Sequence, residues 1–170
     1  MEDKQIIEKC IELAKQGLVQ GQAPFSSIIT KDNKIVAEST NGSKDRTSDH
    51  AEILVLDKAH QILKSADLSD CTLYTICEPC PMCSFMIREY RIKKVVIGAL
   101  DPNPTVRGGG LEVLQNEGFD FKTGILKEAC EEQMEAFMHW CKNRRPLVTL
   151  KAATDINGRI DGNKDVPAER

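Results

Sequence analysis

Apolar residues at Ile6, Ile7, Cys10, Ile11, Ala14 and Leu18 recur at the spacing that lines one face of a helix, and Gly17 and Gly21 punctuate its end. The period then changes. Over 26–31 and 34–38, β-branched residues flank Asp32-Asn33, which predicts two strands joined by a tight hairpin. Helical spacing returns over 50–63, with Ile53, Leu54, Leu56 and Ala59 on the apolar side. A strand over 72–76, a helix over 81–90, a strand over 94–99, a helix over 109–117, a strand over 119–124 and a long helix over 127–143 complete the pattern. A hairpin followed by alternating helices and strands predicts an α/β chain folded as a three-layer α/β/α sandwich. No internal repeat or low-complexity segment interrupts it.

Composition narrows this picture. At 170 residues, 41% apolar and 29% charged, the chain is long enough for one domain with a real core. It has no apolar run of membrane-spanning length, so no membrane association is expected. The start, Met1-Glu2-Asp3-Lys4-Gln5, lacks the basic and apolar regions of a secretory signal, and seven cysteines suit a reducing compartment. The expected location is the cytoplasm. A net charge of −3 and a pI near 5.7 give no basic footprint, so a nucleic-acid partner is not expected.

The candidate chemistry lies in His50-Ala51-Glu52 and, 27 residues after Glu52, in Pro79-Cys80-Pro81-Met82-Cys83. Structural zinc is normally closed by four protein ligands, whereas catalytic zinc keeps three and leaves one position open. His50, Cys80 and Cys83 fit the second case. Two thiolates leave the metal little residual charge, so a water to be activated there needs a neighbouring base, and Glu52 can serve as base and then acid. Ser48-Asp49 read as an N-cap that puts His50 and Glu52 in a first helical turn. Pro79 and Pro81 likewise put Cys83 in another first turn with Cys80 just before it. Helix starts favour thiolate over thiol. Three other readings of the cysteines exist: a redox pair, half of a structural zinc site, or, with Cys77, an iron–sulfur comb. The next tooth of that comb is Met86, and a redox pair has no use for the upstream His-Ala-Glu. Cys77 ends an apolar segment and reads as strand packing.

The His-x-Glu and Pro-Cys-x-x-Cys spacing matches the established signature of the zinc nucleobase deaminases. Over Gly17 through Ala99 the chain resembles the cytidine-deaminase-like superfamily, which implies a five-stranded mixed sheet between helices and a bound Zn2+. Leu73 through Cys83 resembles guanine deaminases and, slightly less, tRNA adenosine deaminases. The resemblance implies that His50, Cys80 and Cys83 bind zinc and that Glu52 carries protons. It also implies that Asn41 contacts substrate with the Ala51 amide beside it, and that Phe25 forms pocket wall. On the residues alone, Phe25 reads equally as core and Asn41 as a turn residue before Gly42. The usual Gly-Ala after the aromatic is Ser26-Ser27 here, which either reshapes the pocket floor or begins a strand with solvated hydroxyls.

The second half resembles a different relative. Ala99 through Pro104, Gly108-Gly109-Gly110-Leu111, Gly118, Gly124-Ile125-Leu126 and above all Arg145 through Lys151 with Asp161-Gly162 are similar to the bifunctional deaminase–reductase of riboflavin biosynthesis. That family inserts residues between the two metal-loop cysteines, and this chain does not. Only 25 residues follow Arg145, fewer than the roughly 50 of a small domain. The expected organisation is a deaminase domain over 1–145 and a tail over 146–170 that resembles the start of a reductase without completing one. From Ala153 the tail reads as disordered or surface-docked. Arg107 with its glycines reads as a flexible loop or as a phosphate-binding nest that contacts substrate. His60 reads as helix surface, and His139 with Trp140 as packing on the last helix.

Two function classes follow: a zinc hydrolase releasing ammonia from a nucleobase-like heterocycle, and a zinc-bearing remnant that binds a partner. Glu52 favours the enzyme. The expected substrate is the diaminopyrimidine ribosyl 5′-phosphate of the riboflavin pathway, with guanine, cytosine and tRNA adenosine as alternatives. The resemblance also implies a homodimer; apolar Met86, Ile87 and Tyr90 could serve such an interface or simply the core.

Overall fold

The computed structural model describes residues 2–42, 46–103 and 106–160. The chain opens with α1 (Asp3–Val19), started by a reciprocal box between Glu2 and Gln5. A hairpin of β1 (Ser26–Lys31) and β2 (Lys34–Thr40) follows. Its turn residues Asp32 and Asn33 both take positive φ, 49° and 58°, as a type I′ turn requires. Then come α2 (Ala51–Leu63), β3 (Cys71–Cys77), α3 (Pro81–Glu89), β4 (Lys94–Ala99), α4 (Gly109–Asn116) and β5 (Asp120–Thr123). Two helices close the described fold, α5 (Lys127–Gln133) and α6 (Glu135–Asn143).

The five strands form one mixed sheet in the order β2-β1-β3-β4-β5. β1 is antiparallel to β2 and β3, whereas β3, β4 and β5 are parallel. Helices cover both faces, giving the three-layer α/β/α architecture. Adjacent side chains of a strand serve opposite cores: Ile28 packs with Ile6, Ile7 and Cys10 of α1, and Ile29 with Val55, Leu56 and Ala59 of α2. Such residues are fully buried. Truncating one to Ala costs about 2–5 kcal/mol. No helix of the described residues is long and apolar enough to cross a membrane.

Three expectations need correction. The helix expected over 127–143 breaks at Met134, whose backbone leaves the helix (φ −102°, ψ 16°) while its side chain is fully buried. Apolar spacing continues across the break, so periodicity alone hides it. Ser26 and Ser27 are fully buried, not solvated, and the Ser26 hydroxyl donates to the Cys10 carbonyl at 2.6 Å. The N-cap of α2 is His50 itself rather than Ser48 or Asp49. Residues 148–160 are exposed, and Asp161-Gly162 lie outside the described residues.

Candidate metal centre and its cavity

The site forms outside the carboxyl ends of the parallel strands β3 and β4, where α2 and α3 begin, the place an open α/β sheet leaves for ligands. His50 caps α2 in extended conformation, and Asn41, at the end of β2, accepts the Ala51 amide on its side-chain oxygen at 3.0 Å. That bond satisfies a donor which a local Ser or Asp would otherwise take. Cys80 caps α3, Pro81 fills the first helical position, and Cys83 sits in the first turn.

These two helix starts bring His50, Cys80 and Cys83 together with their ligand atoms within 4.8 Å of one another. His50 Nδ1 lies 3.6 Å from Cys80 Sγ and 3.4 Å from Cys83 Sγ, and the sulfurs are 3.5 Å apart. Tetrahedral zinc with ordinary bond lengths needs separations of about 3.5 Å for N···S and about 3.8 Å for S···S. The donor set therefore fits zinc in both chemistry and span. The two thiols also share their protons unevenly. Cys80 is held down at about 4, first by donation from the Cys83 thiol and also by His50, whereas Cys83 is driven far up by Cys80 and by burial. The His50 imidazole is raised, chiefly by its contact with Cys80.

Glu52 stands beside this trio, 6% exposed. Its Oε1 accepts the Thr75 hydroxyl of β3 at 2.9 Å, and Cys83 Sγ approaches Oε2 at 3.7 Å. Burial is the largest influence on its carboxyl and raises its pKa above the usual value. A carboxylate that is buried, hydrogen-bonded on one oxygen and turned to a cavity can hold and release a proton.

The cavity measures about 180 Å³ and is lined in part by Phe25, Asn41, His50, Glu52, Cys80 and Phe137. Phe25 and Phe137 meet edge to face with centroids 5.1 Å apart, forming its apolar side. Of the residues that the family resemblance assigns to substrate, Phe25 and Asn41 lie on this cavity. Ala51 is fully buried and its amide is bonded to Asn41. Arg107 is exposed and outside the lining. The adjoining Gly108 amide, for which the sequence offered a flexible loop or an anion nest, donates to Glu78 Oε1 at 2.7 Å.

Sequence reasoning passed over Glu78, Asp101, Val106, Phe137 and Thr75, and took Cys77 only as packing, although it is buried against the cavity. Glu78 and Asp101 are 3% and 8% exposed, and burial raises both carboxyls. One signal was present for Glu78: a charge between an apolar strand and a Pro-Cys run has no solvent to face and must find partners.

The family model of the cytidine and deoxycytidylate deaminase zinc-binding region matches residues 1–99. The riboflavin biosynthesis protein RibD of Bacillus amyloliquefaciens is 34% identical over 157 residues, which cover 88% of this chain and 40% of that protein. The tRNA-specific adenosine deaminase of Bacillus subtilis is 31% identical over 150 residues, 85% of this chain and 93% of its own. Among solved structures, RibD of Acinetobacter baumannii superposes with a TM-score of 0.80 at 29% identity, covering 92% of this chain and 44% of its own. The chain thus spans less than half the length of these RibD proteins.

Proposed function

The chain belongs to the cytidine and deoxycytidylate deaminase zinc-binding family, and from that premise we propose that it hydrolytically removes an exocyclic amino group from a nucleobase-like heterocycle, releasing ammonia. The observation that carries this reading is the convergence of His50, Cys80 and Cys83 beside the buried Glu52 on one cavity. His50, Cys80 and Cys83 would hold zinc, which when bound supplies Lewis-acid activation of water. Glu52 takes one proton of the attacking water and delivers it to a ring nitrogen, then takes the second from the hydroxyl so formed and passes it to the departing amine, leaving carbonyl and ammonia. Phe25 and Phe137 hold the ring against their apolar faces and exclude solvent, and Asn41 orients it from the end of β2.

The substrate we favour is the diaminopyrimidine ribosyl 5′-phosphate of riboflavin biosynthesis. Its support is the similarity to RibD proteins over 88–92% of this chain. At about 180 Å³ the cavity lies below the roughly 300 Å³ at which drug-sized sites begin, so it suits the heterocycle alone. A ribosyl phosphate would then extend outward, either along Arg107 beside Val106, or into an adjoining depression of about 230 Å³ that shares Asn41 and His50 and holds Arg46. A second reading, tRNA adenosine deamination, is favoured by the Bacillus subtilis relative, 93% of which is covered. The acidic balance of the chain argues against it, because phosphate contacts dominate nucleic-acid affinity. We favour a homodimer, as in the family resemblance, and a domain boundary near Arg145.

An ammonia-release screen over the diaminopyrimidine ribosyl phosphate, guanine, cytosine and tRNA anticodon stems tests this reading. The ribosyl phosphate is expected to turn over fastest. Arg107→Ala and Arg46→Ala tell the two routes apart: loss of the arginine that meets phosphate should raise KM for that compound by about tenfold or more and leave guanine unaffected. Efficient turnover of tRNA, or of guanine with none of the phosphorylated pyrimidine, would overturn the substrate assignment.

A further inference from the structure

Glu78 is a buried carboxylate held by backbone amides. It follows the last residue of β3 and precedes Pro79, and its own amide donates to the Ala99 carbonyl of β4 at 2.8 Å. Its two oxygens reach opposite ends of a single stretch of chain. Oε1 accepts the Gly108 amide at 2.7 Å and Oε2 the Asp101 amide at 3.3 Å. Gly108 has φ +81°, a left-handed conformation that a side chain would resist, and it presents its amide from there. The joint is close elsewhere too. A Cβ on Gly110 would run into the Pro79 carbonyl, so the start of α4 lies directly on the metal loop. The stretch from 101 to 108 contributes Asp101 and Val106 to the cavity wall.

We propose that Glu78 is a positioning residue that staples both ends of the 101–108 stretch to the metal loop, and so sets the cavity wall formed by Asp101 and Val106 against the metal centre. Its effect on turnover rests on the deaminase reading; the staple itself does not. Both contacts ask for an acceptor. Glutamine offers one carbonyl oxygen and a donor amide, and that amide would face one of the two N–H groups.

The test compares full-length, zinc-loaded wild type with Glu78→Gln. The variant is expected to keep one zinc per chain. Amide exchange at Asp101 or Gly108 should accelerate by about tenfold, the loss expected for one hydrogen bond to a charged group. Trypsin should cut faster after Arg107, which is exposed at this joint. On the best substrate of the screen, KM should rise by a larger factor than kcat falls. Unchanged exchange at both amides overturns the staple. Loss of zinc, or a fall in kcat with KM unchanged, overturns its assignment to the cavity wall. Should Glu78→Gln fail to fold, Glu78→Asp, which keeps both acceptors but draws them back by one methylene, is measured in the same way, and each outcome carries the same meaning. The exchange measurement needs no turnover. A wild-type protein that deaminates nothing would therefore strike the deaminase reading and would not be mistaken for failure of the staple.

Discussion

The two ends of the sheet treat their acidic residues in opposite ways. At the carboxyl ends of β3 and β4, Glu52, Glu78 and Asp101 are almost wholly buried, and burial raises all three carboxyls. At the other end, around an open polar depression of about 520 Å³, Asp3 and Asp70 are lowered. There Lys122 reaches Asp3 at 2.7 Å, the Tyr74 hydroxyl donates to it at 2.9 Å, and Lys31 reaches Asp70 at 2.6 Å. A buried carboxylate without a cation is costly, and folds retain such groups where chemistry or positioning needs them. Exposed ion pairs contribute little each. The sheet thus has an end under strain for its task and an end at electrostatic rest.

Substitutions at the two ends should separate activity from stability. The largest effect is expected from Cys83→Ala, which should abolish tight zinc binding, because two remaining ligands do not hold catalytic zinc through dialysis. Full occupancy of that variant by elemental analysis would remove Cys83 from the ligand set. Next, Glu52→Gln should retain zinc yet lose turnover by at least about 100-fold. Because burial opposes the Glu52 charge, its melting temperature should match or exceed that of the wild type. A clearly lower melting temperature would mean that this carboxylate supports the fold.

Gly110→Ala probes the joint between the metal loop and α4. The added methyl meets the Pro79 carbonyl, which should destabilise by about 1–3 kcal/mol, the usual result of overpacking. Denaturant midpoints equal to wild type would show that α4 can shift freely. The smallest effect belongs to the resting end. Asp3→Asn should cost up to about 1 kcal/mol near neutral pH and leave turnover unchanged. The Asp3 carboxyl is lowered from its ordinary 3.8, first by Lys122, so its contribution is present above that value and is lost as pH falls through the folded-state value below it. The difference between wild type and Asp3→Asn should therefore close on acidification below about pH 4. A gap that widened there would reverse the assigned sign.

Most of the architecture was legible because its determinants are local. Asp32-Asn33 marks the hairpin, Pro81 starts α3, and apolar spacing gives α1 and α2. The convergence of His50, Cys80 and Cys83 was legible for the same reason, since each sits at or beside a helix start that the sequence punctuates. What escaped was set by tertiary contact. α2 is capped by Asn41 from across the fold, so Ser48-Asp49 misled. Met134 breaks the last helix to bury its own side chain, which no change of period announces. The glycines after Arg107 had local readings as a flexible loop or an anion nest, Glu78 had none, and the pairing of Glu78 with Gly108 emerges only in three dimensions.

The connection between Asn41 and His50 leaves and returns through a narrow neck. The Gly42 amide donates to the Asp49 carbonyl at 2.8 Å, and the Ala51 amide to Asn41 at 3.0 Å. The two bonds fix where β2 ends and where the helix bearing His50 begins. The exposed segment 46–48 can therefore be exchanged for another sequence with little effect on where His50 stands, as surface positions generally allow. It borders the cavity through the depression that holds Arg46 and Thr47. For anyone wishing to redirect this scaffold toward a new compound, that stretch is a modular graft point: diversity placed there is insulated from metal binding and still faces whatever enters.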